Sequence, residues 1–330
     1  MILIAYGTRP ERIKVTPLIA EMRKRKISFK VLHVGQHPSM EENDFYIPVT
    51  RNANRLDSIM ASVFFAFSNL FYESGITGVI VQGDTTTALA VAMSANHNGM
   101  RVIHLEAGLR TYDNNNPWPE EQNRRQISAI ASVHLCPTPE NAEHLINEKV
   151  LGDVFITGNT AIDNLPRYPK FYSNTVLVTM HRRENLLIMD EWFKAINQLA
   201  ESNPDLLFVL PLHPNPDVQK HKHLLESVEV RSSQSHETFL TLLSDCRLII
   251  TDSGGIQEEA SFYNKKCLVC RKVTERTEVV GLSSFLVSSP SDLSVVFNDH
   301  ANDYVIDHEC PYGDGGASER IVKILNSFLK

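Results

Sequence analysis

The sequence predicts an α/β protein built on parallel sheets. Short apolar runs alternate with stretches of helical period along most of the 330 residues, and one run turns through two glycines into a helical pattern. The strand-like runs are, in order, Ile2 to Tyr6, Lys30 to Val34, Gly78 to Val81, Val102 to Leu105, Val133 to Cys136 and Val154 to Thr157, then Val176 to Met180, Leu206 to Leu210, Leu248 to Ile250 and Cys267 to Cys270. Helical patterns such as Pro17 to Arg25, Thr86 to His97 and Glu191 to Glu201 stand between them, so the strands should lie in sheets covered on both faces. The segment Asn164 to Ser173 carries Pro166 and Pro169 between two well-patterned halves and reads as a domain linker. Ser318 to Leu329, after the turn-rich Pro311 to Gly316, reads as an amphipathic terminal helix.

Composition narrows the class. An apolar share of 42% and a charged share of 22% belong to a globular chain, and a net charge of -7 gives no basis for a broad nucleic-acid surface. No run approaches the roughly 18 apolar residues of a membrane span, and the Met1 to Gly7 start lacks the basic flank of a signal peptide. The chain therefore reads as cytoplasmic. The five cysteines suit a reducing compartment, and Cys267 and Cys270 lie in a strand with no second pair to complete a zinc site.

The most informative run is Thr251-Asp252-Ser253-Gly254-Gly255-Ile256-Gln257-Glu258-Glu259-Ala260. A strand turning through glycines into a helix presents free N–H groups and the positive end of the helix dipole, which is a phosphate site. Glu258 and Glu259 could hold ribose hydroxyls one turn on, as an acid does in dinucleotide folds. Read alone, the same run is equally a tight βα turn with dipole-favouring acids.

Ligands of open parallel sheets gather beyond the carboxyl ends of the strands, and polar residues cluster there in this chain. Gly7-Thr8-Arg9-Pro10-Glu11 follows the first strand with Lys14 one turn later, Gln82-Gly83-Asp84-Thr85 follows the third, and His104-Leu105-Glu106-Ala107-Gly108-Leu109-Arg110 follows the fourth. Pro117 to Arg124, with Glu120 and Glu121, reads as a loop feeding a helix. Singly, Asp84 reads as a cap for the helix starting at Thr85, Glu120 as a dipole complement, and Arg9 as an ion-pair partner of Glu11. Glu106 is the exception, because a carboxylate ending an apolar strand is costly to bury and only Arg110 offers a nearby cation in sequence. Three acids at predicted strand ends or the adjacent loop, with Arg9 and Lys14 nearby, read as an acid/base cluster. In the second half, His181-Arg182-Arg183-Glu184-Asn185 and His213-Pro214-Asn215-Pro216 occupy strand ends, and Arg276 is either a diphosphate clamp or a surface ion pair. A phosphate turn in one half and carboxylates in the other imply a substrate in a cleft between domains.

These motifs, with Pro119-Glu120-Glu121 and the Asp252 to Glu259 turn, resemble the non-hydrolysing UDP-N-acetylglucosamine 2-epimerases, in register from Ile2 to the Pro311 to Gly315 turn. The resemblance implies an α/β fold of two Rossmann-like domains of the GT-B type, residues 1–165 and 166–316, with an inter-domain active-site cleft. Residues 317–330 would form a helix crossing back to the first domain, usually in a homodimer. It implies a UDP-sugar as partner, no cofactor and no metal, no nucleic acid and no membrane. The reaction implied is interconversion of UDP-GlcNAc and UDP-ManNAc by anti elimination of UDP, through 2-acetamidoglucal, and re-addition. By the resemblance Asp84, Glu106 and Glu120 are the acid/base carboxylates and His181 assists the leaving UDP. Ser253, Gly254, Gly255 and Arg276 hold the diphosphate, Glu259 the ribose, and Gln234 and Phe239 the uracil neighbourhood, with Arg9, Lys14 and His213 lining the cleft.

The chain departs from its relatives in places. Gln36-His37-Pro38-Ser39-Met40 stands where they read Gln-His-Arg-Glu-Met, and the stretch from there to about Asn69 is contracted. In bacterial relatives that region helps form a second site for UDP-GlcNAc as activator, so activation is expected to be weakened or absent. Thr277 replaces a proline after Arg276, and Asn264-Lys265-Lys266 replaces Gly-Lys-Pro. Rival readings are a hydrolysing epimerase, an epimerase of a 2,3-diacetamido sugar nucleotide, a GT-B glycosyltransferase and an inactive nucleotide-sugar binding protein.

Overall fold

The computed structural model describes residues 1–36, 43–49, 55–71 and 75–328, so residues 37–40 of the departing segment lie outside the described residues. The chain divides into two compact units, Met1–Asn164 with Tyr312–Lys330, and Leu165–Pro311.

The first unit holds strands β1 (Ile2–Tyr6), β2 (Phe29–Val34), β3 (Phe45–Ile47), β4 (Gly78–Gln82), β5 (Arg101–Leu105), β6 (Val133–Cys136) and β7 (Asp153–Ile156). They form one parallel sheet in the order β3-β2-β1-β4-β5-β6-β7. Its helices are α1 (Arg9–Lys24), α2 (Arg55–Phe71), α3 (Thr86–His97), α4 (Glu120–Ile130) and α5 (Pro139–Asn147). Alternation along β1 splits its side chains between two cores. Ile2, Ile4 and Tyr6 pack with α1 residues Val15, Leu18 and Met22, whereas Leu3 and Ala5 pack with Ile59, Val63 and Phe67 of α2 and the alanines of α3.

The second unit holds β8 (Thr175–Thr179), β9 (Leu207–Pro211), β10 (Glu229–Arg231), β11 (Leu248–Thr251), β12 (Lys266–Val269) and β13 (Ser284–Leu286), again all parallel, in the order β10-β9-β8-β11-β12-β13. Helices α6 (Arg183–Leu186), α7 (Met189–Glu201), α8 (Pro216–Gln219), α9 (His236–Asp245), α10 (Gly254–Phe262) and α11 (Leu293–Ala301) accompany them. Both sheets follow the Rossmann pattern, in which the chain starts centrally, works to one edge and returns to the other side of its first strand. The switch point lies between β1 and β4 in one sheet and between β8 and β11 in the other.

The last helix, α12 (Ala317–Phe328), belongs to the first unit and inserts Ile321, Val322 and Leu325 into the core of β1, β4, β5 and α1. Its start is capped from far away in sequence: Asp163 accepts from Ala317 N at 2.9 Å and Ser318 N at 2.6 Å. Arg320 Nε donates to Thr157 O at 2.8 Å, and a Cβ on Gly158 would stand 2.9 Å from Arg320 Nη2, so glycine admits this close approach.

Three strands escape the sequence pattern, β3, β10 and β13, each three residues long and at or near a sheet edge, where three residues carry no readable periodicity. Helix α1 starts at Arg9, well before the expected Pro17. Thr8 caps it, Glu11 closes a capping box, and Pro17 lies inside, while the Thr16 hydroxyl donates to Arg12 O at 2.7 Å on the turn above. Asn264 takes φ +54°, the left-handed conformation that glycine or asparagine accepts, which explains how it replaces glycine after α10. Cys267 and Cys270 are buried free thiols, and burial raises the pKa of both.

Candidate active site

In the first unit, the ends of β1, β4 and β5 bring their polar residues together around Glu106. Glu106 is buried and sits at φ +65°, an unusual conformation for a residue with a side chain, immediately after β5. Its Oε1 accepts from Lys14 Nζ on α1 and from Asn159 Nδ2 at 3.4 Å, and its Oε2 accepts from Gln82 Nε2 at the end of β4. A Cβ on Gly83 would lie 3.5 Å from Glu106 Oε2, so the β4 turn that carries Asp84 runs directly past this carboxylate. His104 fixes that turn. Its Nε2 lies 2.8 Å from Gly83 O, and burial pushes its pKa down to about 3, so the ring is neutral and Nε2–H donates.

Asp84 is held by Arg124 of α4, whose Nε and Nη2 reach Oδ2 at 3.0 and 2.7 Å, while Asn123 Nδ2 donates to Asp84 O at 2.8 Å. Arg124 Nη1 also reaches the fully buried Glu121 at 2.8 Å, which accepts further from Thr111 N and Tyr112 N. These bonds tie the start of α4, and hence Glu120 as its first residue, to the Asp84 turn. Glu11 is buried beside them, accepting from Thr8 N at 2.7 Å and Thr85 Oγ1 at 2.8 Å. Burial, opposed by those hydrogen bonds, raises its pKa to about 7.

In the second unit the corresponding strand ends are β8 and β11. Asp252, fully buried, accepts from the backbone N–H of His181 and Arg182 and from Asn185 Nδ2. The His181 and His213 rings stack with centroids 5.0 Å apart and planes inclined by 18°. Burial lowers the pKa of both, with the Asp252 charge opposing. Ser253 precedes α10, which begins at Gly254 and Gly255. A Cβ on Gly254 would meet Glu275 Oε1 at 2.9 Å and Arg276 Nη1 at 3.0 Å, whereas one on Gly255 would meet open space. Arg276 therefore stands against the first turn of α10, its guanidinium held by Glu275 and by Glu258 Oε1 at 2.9 and 2.7 Å. Glu259 is half-buried and lies 3.1 Å from His236 Nε2 at the start of α9, the helix that also carries Phe239 and is preceded by Gln234.

Several single-residue expectations are corrected. The cation at Glu106 is Lys14, not Arg110; Arg110 is buried with Glu148 at 2.8 Å and Ser128 at 2.9 Å. Thr85 rather than Asp84 caps α3, its hydroxyl accepting from Ala88 N at 3.0 Å. Beside these, Arg9 is exposed on the first turn of α1, the same turn that holds the capping-box Glu11. Of the two acids on α10, Glu258 points inward to Arg276 and only Glu259 faces outward. Gln82, Asn159, Arg124, Asp252, His236 and Glu275 join these sites without a role that the sequence pattern assigns. Gln82, Asp252 and Asn159 stand just after or at the end of strands, the position that marks ligands in parallel sheets, whereas Arg124, His236 and Glu275 reach their partners only through tertiary contacts.

Fold and site define a two-domain α/β protein with a caged carboxylate group in one Rossmann-like unit and a glycine turn beneath an arginine in the other. Residues 20–326 match the family described as UDP-N-acetylglucosamine 2-epimerase. A UDP-N-acetylglucosamine 2-epimerase of Campylobacter jejuni is 36% identical over 373 aligned positions, covering 98% of this chain and 97% of that protein. The crystal structure of UDP-GlcNAc 2-epimerase from Neisseria meningitidis bound to UDP-GlcNAc superposes with a TM-score of 0.90 at 33% identity, covering 99% of each chain. That from Methanocaldococcus jannaschii in complex with UDP-GlcNAc and UDP gives 0.84 at 27% identity, again covering 99% of each. The chain belongs to the UDP-N-acetylglucosamine 2-epimerase family.

Proposed function

We propose that this chain interconverts UDP-GlcNAc and UDP-ManNAc without hydrolysis, by anti elimination of UDP to 2-acetamidoglucal and re-addition to the opposite face. The observation that carries this reading is Glu106, a buried carboxylate in a left-handed backbone conformation, held between Lys14 and Gln82 beside the turn of Asp84. A C2 hydrogen of a sugar is barely acidic, so its removal needs a placed base together with stabilisation of the departing diphosphate. Asp84, Glu106 and Glu120 supply the base and the acid for the two faces. Ser253, Gly254, Gly255 and Arg276 receive the diphosphate, because free amides at a helix start and a guanidinium both match phosphate oxygens. His181 assists the leaving UDP, Glu259 holds the ribose, Gln234 and Phe239 border the uracil, and Arg9, Lys14 and His213 line the cleft. Residues 1–165 with the helix 317–330 supply the carboxylates, residues 166–316 the UDP-binding turn, and no cofactor enters the reaction.

The same reading places the protein in the cytoplasm as a homodimer. The exposed Phe64 and Phe65 of α2, the latter 82% accessible, support association through that helix, and light scattering after size exclusion tests it. Activation by UDP-GlcNAc is weakened or absent, a reading supported by the contracted stretch from Gln36 to about Asn69. Strongly sigmoidal kinetics in UDP-GlcNAc, with no turnover of UDP-ManNAc alone, would refute that point.

The test of the activity is incubation with UDP-GlcNAc in deuterated water, followed by NMR. Deuterium at C2 together with UDP-ManNAc supports the proposal. Free N-acetylmannosamine with UDP points to the hydrolysing reaction, and unchanged substrate to a transferase or binding protein.

A further inference from the structure

We propose that Asp252 is a positioning residue for His181: it holds the ring with Nδ1–H toward its own carboxylate, leaving Nε2 as the atom offered to the departing group, while the stacked His213 fixes the ring plane. The inference rests on the reading above, in which His181 serves the departing UDP.

The geometry is specific. Asp252 Oδ2 is well supplied, accepting from Arg182 N at 2.8 Å, His181 N at 3.0 Å and Asn185 Nδ2 at 3.1 Å. Oδ1 only shares the His181 N–H, at 3.1 Å, and a carboxylate oxygen accepts more than one donor. This is the oxygen that faces His181 Nδ1 at 3.8 Å, an ion-pair separation beyond hydrogen-bond length. The carboxylate cannot easily turn away, because Asn185 is itself locked: its Nδ2 also donates to Cys270 O at 3.0 Å and its Oδ1 accepts from Trp192 Nε1 at 3.1 Å. Which ring nitrogen carries the proton is set by what the other faces, and a buried carboxylate beside Nδ1 favours the proton there. The charged and titratable groups around the ring are Asp252, Arg182, His213 and Glu184. Burial disfavours the imidazolium and Asp252 is the largest influence restoring it, so the residue that orients the ring also sustains its charged form.

The test is NMR of the full-length protein with 15N-labelled histidine. The spectrum of a His181→Gln variant identifies His181 among the 13 histidines. In the wild type, neutral His181 is expected as the Nδ1–H tautomer, and a dominant Nε2–H tautomer would overturn the proposal without any appeal to a variant. In Asp252→Asn the His181 titration midpoint is expected to move down by about one pH unit, the size of an opposite charge removed from a few ångströms away. The alkaline limb of kcat/KM should move with it. An unchanged midpoint would overturn the proposal. A midpoint that moves while the kcat/KM profile stays fixed would uphold the Asp252 arrangement and refute instead the catalytic use of His181.

Discussion

Arg124 meets Asp84 with two nitrogens on a single oxygen, Nε at 3.0 Å and Nη2 at 2.7 Å, both to Oδ2. The arrangement orients the carboxylate through Oδ2 and leaves Oδ1 for the proton exchange proposed for this residue. It also joins two helices, since Arg124 lies on α4 and Asp84 ends the turn before α3. Arg124→Lys keeps the charge and loses the fork. It is expected to lower kcat/KM about 100-fold through misplacement of Asp84. Steady-state kinetics of the variant check this, and a change below twofold would contradict it.

The close contact between Gly254 and Arg276 makes a second prediction. In Gly254→Ala the new methyl group displaces the guanidinium or the helix start, and affinity for UDP should fall at least 10-fold, a loss of about 1.4 kcal/mol. Gly255→Ala, whose methyl points into open space, should fold with unchanged stability. Titration calorimetry with UDP and thermal unfolding separate the two variants.

Glu258 and Glu259 are neighbours in sequence with opposite work. Glu258 is 1% exposed and accepts from two nitrogens of the buried Arg276, so Glu258→Ala leaves that cation with Glu275 as its remaining carboxylate partner here and should cost about 2 kcal/mol of stability. Glu259 is half-buried, and Glu259→Ala should leave the melting temperature within about 2 °C while weakening UDP binding. The reverse pattern in melting and binding measurements would contradict this division.

The contrast shows what the sequence makes legible. Ten strands, the parallel class and the strand-end position of Asp84 and Glu106, with Lys14 on the helix after β1, follow from apolar runs and from where ligands gather in such sheets. Which acid faces which cation does not. Lys14 and Glu106 are 92 residues apart, so no local pattern could rank Lys14 above Arg110, which is only four residues from Glu106 yet spends its charge on Glu148. The edge strands and the start of α1 escape the sequence pattern for a local reason: three residues are too few for a period, and Pro17 looks like a helix start although the Thr8 capping box already provides one.

His104 gives a pH prediction. Its folded pKa, about 3, lies below the ordinary value of 6.5, so the neutral ring is favoured in the native state. The stability this contributes is complete above pH 6.5 and is lost as pH falls from there toward 3. Glutamine at this position can retain a donor toward Gly83 O without titrating. Between pH 7 and pH 5 the wild type should therefore lose about 2 kcal/mol more than His104→Gln, measured by urea unfolding. Equal losses would contradict the assignment.

In the proposed reaction the bond between C1 and the diphosphate oxygen breaks and re-forms on the enzyme. Positional isotope exchange tests it most directly, using UDP-GlcNAc with 18O in that bridging position. Recovered UDP-GlcNAc and UDP-ManNAc should carry the label spread into non-bridging β-phosphate oxygens. Epimerisation with the label still wholly in the bridge would contradict it.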